Sequence, residues 1–366
     1  MPTSSQGAQR EQEKHVMTKG ILRSVLFAAI LAPAEPALAI TTTGPLAEYV
    51  AKDDPSFCWA KQRDGQLGTA AVAEIILTSQ TWQGIAWKHR LFLVKPTTVA
   101  ADTKQGVLVI SGGRWRDEYQ HATGPLKLPA QARLFSFIAE QLRAPVAVLE
   151  QVPFQPMFDG KVEDAIIALT FDKFLHTGDP QWPLLLPMVK SAVRAMDVAQ
   201  EFCRDQWALK LDAFTVTGAS KRGWTTWLTG AVDQRAKAIA PMVIDVLNMQ
   251  PQMKHQLEVW GDYSDEIHDY TERGLQEHLG SEAGQALRAI VDPYAYRAAL
   301  DQPKLIMLGT NDRYWPLDAL NLYWHDLVGE NYILYVPNNG HGLDDFRRIV
   351  GSLKALHEHA TGSKTM

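Results

Sequence analysis

Three residues in this chain could carry out covalent chemistry together: a serine, an acid and a histidine, each just past a short apolar run. Residues 214–227 read FTVTGASKRGWTTW, with Ser220 between Gly218 and Gly223. A serine hydroxyl is a weak nucleophile until a base takes its proton. Small neighbours permit the sharp strand-to-helix turn that lifts such a hydroxyl above a sheet, usually written G-x-S-x-G. Here Arg222 stands where the second glycine is usual, and Gly223 comes one place later. The other reading of Ser220 is an ordinary helix N-cap. The run KLIMLG leads into TNDRYW and places Asp312; NYILYV leads into PNNGHG and places His341. Serine, then acid, then histidine is the chain order of a hydrolase built on this turn. His341 would take the Ser220 proton and return it to the leaving group, while Asp312 orients the imidazole. Asp245, at the end of AIAPMVID, is a rival acid one strand earlier. Asp312 is preferred because the last strand and the histidine loop follow it directly.

The developing oxyanion needs fixed donors. One is the amide of Lys221, directly after the serine. The other is expected from SGGRW, in the loop after VLVIS, at Gly113 or Arg114. Lys221 and Arg222 put two cations at a helix start, where they oppose the helix dipole. They either face solvent there or serve the oxyanion. Of the eleven tryptophans, Trp224, Trp227 and Trp315 lie beside these positions, and Trp260 could reach them from further along the chain. Each could line a substrate pocket or simply pack in the core.

Elements that would position these residues are legible as alternating strands and helices. Residues 73–79 and 90–96 suggest an antiparallel pair. Residues 107–111, 145–150, 213–218, 238–245, 304–309 and 331–336 suggest strands, and 134–142, 187–202, 317–327 and the segment after His341 suggest helices. Such alternation implies an α/β fold, a mostly parallel sheet with helices on both faces. Sites in such sheets lie at the carboxyl ends of the strands. The segment 246–302 is too long for a plain connection and is expected to form a helical cap insertion over the site.

The composition is that of a globular protein, 46% hydrophobic and 21% charged, and the net charge of -5 gives no basic surplus for a nucleic-acid partner. Lys19 and Arg23, the run VLFAAILAPA and Ala37-Leu38-Ala39 follow the order of a secretory signal. The expected arrangement is a signal peptide over 1–39 and a mature domain over 40–366 starting at Ile40, periplasmic or secreted. No membrane span is expected after cleavage. Cys58 and Cys203 could pair in an exported protein or remain separate thiols. No C-x-x-C or Cys/His cluster suggests a metal, and no cofactor is called for.

The segments VTGASKRGWTTW, PMVIDVLNM, GTNDRYWPLDA and PNNGHGL, with GPLAEYVAKDDPSFCW, LTSQTWQGIAWKH and GDPQWPLLLPMVKSAVRAMD, resemble the PhoPQ-activated pathogenicity-related protein family. The resemblance covers nearly all of the chain after the signal. It implies an α/β-hydrolase fold, bacterial exported relatives, a link by name to a virulence-regulating two-component system, and a further C-terminal segment in family members. The G-x-S-K-x-G stretch is also similar to the serine motif of glucuronoyl esterases, in which a cation follows the nucleophile. The leading expectation is an exported serine hydrolase acting on a small-molecule ester or peptide. The alternative is a non-enzymatic signalling or binding protein on a hydrolase scaffold.

Overall fold

The computed structural model describes residues 43–126, 128 and 132–366. The export signal read at 1–39 lies outside the described residues. One compact unit, Leu38–Met366, holds all of them.

Short helix α1 (Pro45–Ala51) leads into a meander of β1 (Cys58–Leu67), β2 (Ala70–Trp82) and β3 (Ile85–Lys95), paired antiparallel. The chain then alternates. Strand β4 (Gln105–Ile110) is followed by α2 (Ala132–Leu142), and β5 (Val146–Leu149) by α3 (Asp164–Thr177) and α4 (Leu185–Trp207). Next come β6 (Ala213–Ala219), α5 (Lys221–Val232) and β7 (Ala236–Met242). A helical segment precedes β8 (Lys304–Gly309), and the chain closes with β9 (Asn331–Val336) and a terminal helix. Among the described residues the strands form one nine-stranded sheet in the order β1-β2-β3-β5-β4-β6-β7-β8-β9. From β5 to β9 every neighbouring pair is parallel.

The central strands are short, continuous apolar runs because both faces are covered. Successive side chains point to opposite faces, and the core divides accordingly. Leu108, Ile110, Ala147, Leu149, Ile306 and Leu308 pack into one apolar cluster, with α4 and α5. Val107, Val109, Val146, Val148, Leu305 and Met307 pack into the other, with α2 and the terminal helix. The mostly parallel sheet with helices on both faces is the one that the alternation implies, and it agrees with the α/β-hydrolase fold implied by the resemblance.

Between β7 and β8 lie α6 (Met249–Trp260), the single turns α7 (His268–Thr271) and α8 (Leu275–His278), and α9 (Glu282–Val291). Helix α10 (Phe346–Ala360) closes the chain. Asp292 holds the base of this insertion. Its carboxylate accepts hydrogen bonds from the backbone amides of Asn248, Met249 and Tyr294, and so satisfies donors at two helix starts at once. The helix expected over 317–327 does not form. Two 3₁₀ turns, Ala319–Leu322 and Trp324–Asp326, stand there instead. Tyr323, with φ −147°, interrupts the run and is buried in the core. Cys58 is exposed and Cys203 buried, and both are free thiols. No helix among the described residues is long and apolar enough to cross a membrane.

Candidate active site

Ser220 sits between the end of β6 and the first residue of α5 with φ 59° and ψ −128°. A non-glycine residue held at positive φ is uncommon and costs on the order of 1–3 kcal/mol, which the surrounding structure must offset. Two glycines make the turn possible. A Cβ on Gly218 would lie 2.8 Å from the Arg222 carbonyl oxygen, and one on Gly223 would lie 2.8 Å from the Met242 carbonyl oxygen. The helix therefore packs against β6 and β7 at a distance only glycine allows. Ser220 makes no capping hydrogen bond with its side chain, so the helix does not use the hydroxyl as an N-cap.

Asp312 and His341 follow β8 and β9 at the same sheet edge. The two loops are stitched together: the Asn311 amide donates to the Asn339 carbonyl at 2.9 Å, and the Asn338 amide to Thr310 Oγ1 at 2.9 Å. A Cβ at Gly309 would collide with the Asn339 and Gly340 carbonyls. That close approach brings His341 Nδ1 to 2.9 Å from Asp312 Oδ2. The other oxygen, Oδ1, accepts the Tyr314 amide at 3.0 Å, which fixes the carboxylate. The Tyr314 ring stacks on the imidazole at 4.1 Å between centroids. His341 Nε2 is buried and has no hydrogen-bond partner among the described residues. Ser220 and His341 line the same cavity.

Asp245, the rival acid, is sealed in. It is 2% exposed, and its Oδ1 has no hydrogen-bond partner among the described residues. Burial pushes its carboxyl up to about 7; nearby Tyr323 opposes this, and the charge of Asp312 adds to it.

The two cations at the elbow are neither solvated nor free. Lys221 Nζ lies 3.0 Å from Asp164 Oδ2 and 3.1 Å from Glu163 Oε2. Arg222 grips Glu163 with two bonds of 2.7 Å and donates to the Val152 carbonyl. Burial alone would raise the Glu163 carboxyl, but the Arg222 hydrogen bonds and the two neighbouring cations outweigh it and hold it down at about 2. The acids of α3 thus neutralise the cations that would otherwise oppose the α5 dipole. The guanidinium fills the space over Gly112, where any Cβ would overlap it. This explains why arginine is accepted at the position usually held by glycine. Glu163 and Asp164 are functional neighbours that sequence reasoning missed. Their only signal is an acidic pair at the start of a helical pattern, and nothing in its spacing points to position 221.

Of the expected oxyanion donors, Lys221 lines the cavity. Gly113 and Arg114 lie in the loop after β4 and do not line it. No backbone carbonyl among the described residues accepts either amide, and Gly113 has φ 113°, which only glycine adopts readily. Trp224 and Trp315 line the cavity as expected. Trp260 does not. It ends α6 at 41% exposure, pointing to solvent. Trp227, one turn after Trp224, is wholly buried in the core.

Residues 46–366 match the family described as PhoPQ-activated pathogenicity-related protein. The chain belongs to that family. A curated relative, autocrine proliferation repressor protein A of Dictyostelium discoideum, is 34% identical over 313 residues, which is 82% of this chain and 61% of the relative. The chain therefore spans less than two thirds of that relative's length. Among solved structures, an acetyl xylan esterase from Paenibacillus sp. R4 superposes with a TM-score of 0.56 at 13% identity, covering 87% of this chain and 97% of the esterase. An S-formylglutathione hydrolase from Agrobacterium tumefaciens does so with a TM-score of 0.50 at 12% identity, covering 82% and 98%. At such identities the likeness establishes the fold of this PhoPQ-related chain as that of the α/β-hydrolases.

Proposed function

We propose that this protein is a serine hydrolase that cleaves a small-molecule ester or peptide with Ser220, His341 and Asp312. The observation that carries this reading is the imidazole itself. Its Nδ1 is anchored to Asp312 at 2.9 Å, while its Nε2 is left unpartnered at a cavity it shares with a serine held in an elbow conformation. In this reading Ser220 Oγ attacks the carbonyl carbon, and its proton passes to His341 Nε2. The negative charge that forms on the carbonyl oxygen meets the Lys221 amide. When the bond to the leaving group breaks, His341 returns the proton to that group. Water then releases the acyl group from Ser220 by the same steps in reverse order. The segment 246–302 acts as the cap, and the order of basic, apolar and small residues before Ile40 supports export to the periplasm or outside the cell.

The test is labelling of the purified protein with a fluorophosphonate, which reacts only with an activated serine. Labelling of the wild type, lost in Ser220→Ala and in His341→Ala, is the expected result. A wild type that neither labels nor turns over any ester or peptide would support a second reading, a signalling protein on a hydrolase scaffold. The name of the Dictyostelium relative, a proliferation repressor, favours that alternative.

A further inference from the structure

His341 has a different environment on each of its two sides. On one side lies a cavity of about 80 Å³, shared with Ser220. Its wall is largely apolar: Phe171 of α3, Trp224 of α5, Ile244, and Met253, Leu279 and Leu287 from the segment between β7 and β8. On the other side is a polar cleft lined by Glu266, Asn311, Arg313, Tyr314, Gly340 and His341, which Ser220 does not touch.

The polar groups inside the apolar cavity are largely spoken for. Asp164 is bound by Lys221 at 3.0 Å and by the Tyr270 hydroxyl at 2.9 Å. With Glu163 and Arg222 the cluster holds two cations and two anions, so it leaves no net charge to attract a charged substrate. Burial and the neighbouring Asp164 raise the Tyr270 phenol well above its usual range, so it stays neutral. Besides His341 Nε2, Gln276 Oε1 is left as a buried acceptor without a partner among the described residues.

We infer that the substrate is an ester whose acyl part is an extended, uncharged hydrocarbon chain and whose alcohol part is polar. This inference rests on the proposed serine chemistry, which also decides which part goes where. The acyl group stays bonded to Ser220 after the first step, so it occupies the cavity that Ser220 lines. The leaving group takes its proton from His341, which also lines the polar cleft, so the alcohol part extends from the reacting atoms into that cleft. Gln276 allows the chain to carry one hydrogen-bond donor, such as a hydroxyl.

The experiment is a series of p-nitrophenyl esters from acetate to decanoate, with the leaving group held constant. It is run beside two fluorophosphonate probes, one with an ethyl and one with an octyl chain. Burial of each methylene should raise kcat/KM about fourfold until the cavity is filled, giving a rise of roughly a hundredfold or more between acetate and octanoate. Met253→Trp, which narrows the cavity from α6, should lower the octanoate-to-acetate ratio at least tenfold; if that variant does not fold, Leu279→Phe serves the same purpose. Activity that is flat or falls with chain length would overturn the inference and leave the hydrolase reading standing. If no ester is cleaved, the labelling rates decide: faster reaction with the octyl probe supports the inference, and equal rates overturn it. Failure of both probes and all esters would overturn the serine chemistry as well.

Discussion

The ends of β7 and β8 carry one aspartate each, on neighbouring parallel strands, and the two have opposite surroundings. Asp312 is held in a tight loop by the Tyr314 amide and faces an imidazole. Among the described residues Asp245 has no ion-pair partner; it lies beside the Tyr323 phenol in the core, where burial pushes its carboxyl up to about 7. Being at a strand end is therefore not enough to make an acid a triad member. What differs is the next loop. Gly309 lets the chain after β9 approach so closely that His341 can reach Asp312, whereas the chain after β7 turns away into the insertion. An aspartate with no imidazole to orient becomes a buried acid whose cost depends on pH.

The largest effects expected from breaking this contrast are on turnover. Ser220→Ala or His341→Ala should each lower kcat by roughly 10⁵–10⁶, and the double variant little further, because members of a triad fail as a unit. Asp312→Asn should keep the fold, checked by circular dichroism, and lower kcat/KM by about 10⁴ through a misoriented imidazole. Asp245→Asn should stay within about tenfold of the wild type. If these last two results were exchanged, the assignment of the acids would be wrong.

Stability sharpens the comparison from the other side. The folded Asp245 carboxyl sits at about 7 against a usual 3.8, so the native state holds a proton that the unfolded chain releases. Stability from this group is fully present below about pH 4 and declines as pH rises through about 7. Asp245→Asn removes that decline. Its Tm relative to wild type should rise between pH 5 and pH 8, by an amount on the order of 1–3 kcal/mol of unfolding free energy. A Tm difference that stays constant with pH would show that Asp245 is ionised in the core. The smallest effect concerns the elbow's own ion pairs. Glu163→Gln should cost about 1–2 kcal/mol of stability, since Glu163 is partly exposed and its pairs are partly screened. Denaturant unfolding at constant m measures it.

Much of this site was legible because its residues sit at strand ends, and the strands that carry them are short apolar runs with both faces buried. Ser220, Asp312 and His341 follow such runs directly. The parts that were not legible depend on the opposite situation. Strand β1 reads CWAKQRDGQL and has its side chains largely exposed at the sheet edge, so it has no apolar alternation to betray it. Glu163 and Asp164 reach Lys221 and Arg222 only through the packing of α3 against α5, which no local pattern encodes. Trp260 is read toward the pocket from its place in the insertion, but Met249 and Met253 of α6 line the cavity while Trp260, on the same face at the last residue of that helix, lies beyond it and is 41% exposed.

The ring of Tyr314 lies face to face with His341 at 4.1 Å. An aromatic face shields the nuclei above it from an applied magnetic field. The carbon-bound protons of the His341 imidazole should therefore resonate upfield of those of an ordinary histidine and move back in Tyr314→Leu. The base of the proposed triad thus carries its own spectroscopic label, by which its protonation could be followed as acyl chains of increasing length enter the cavity beside it.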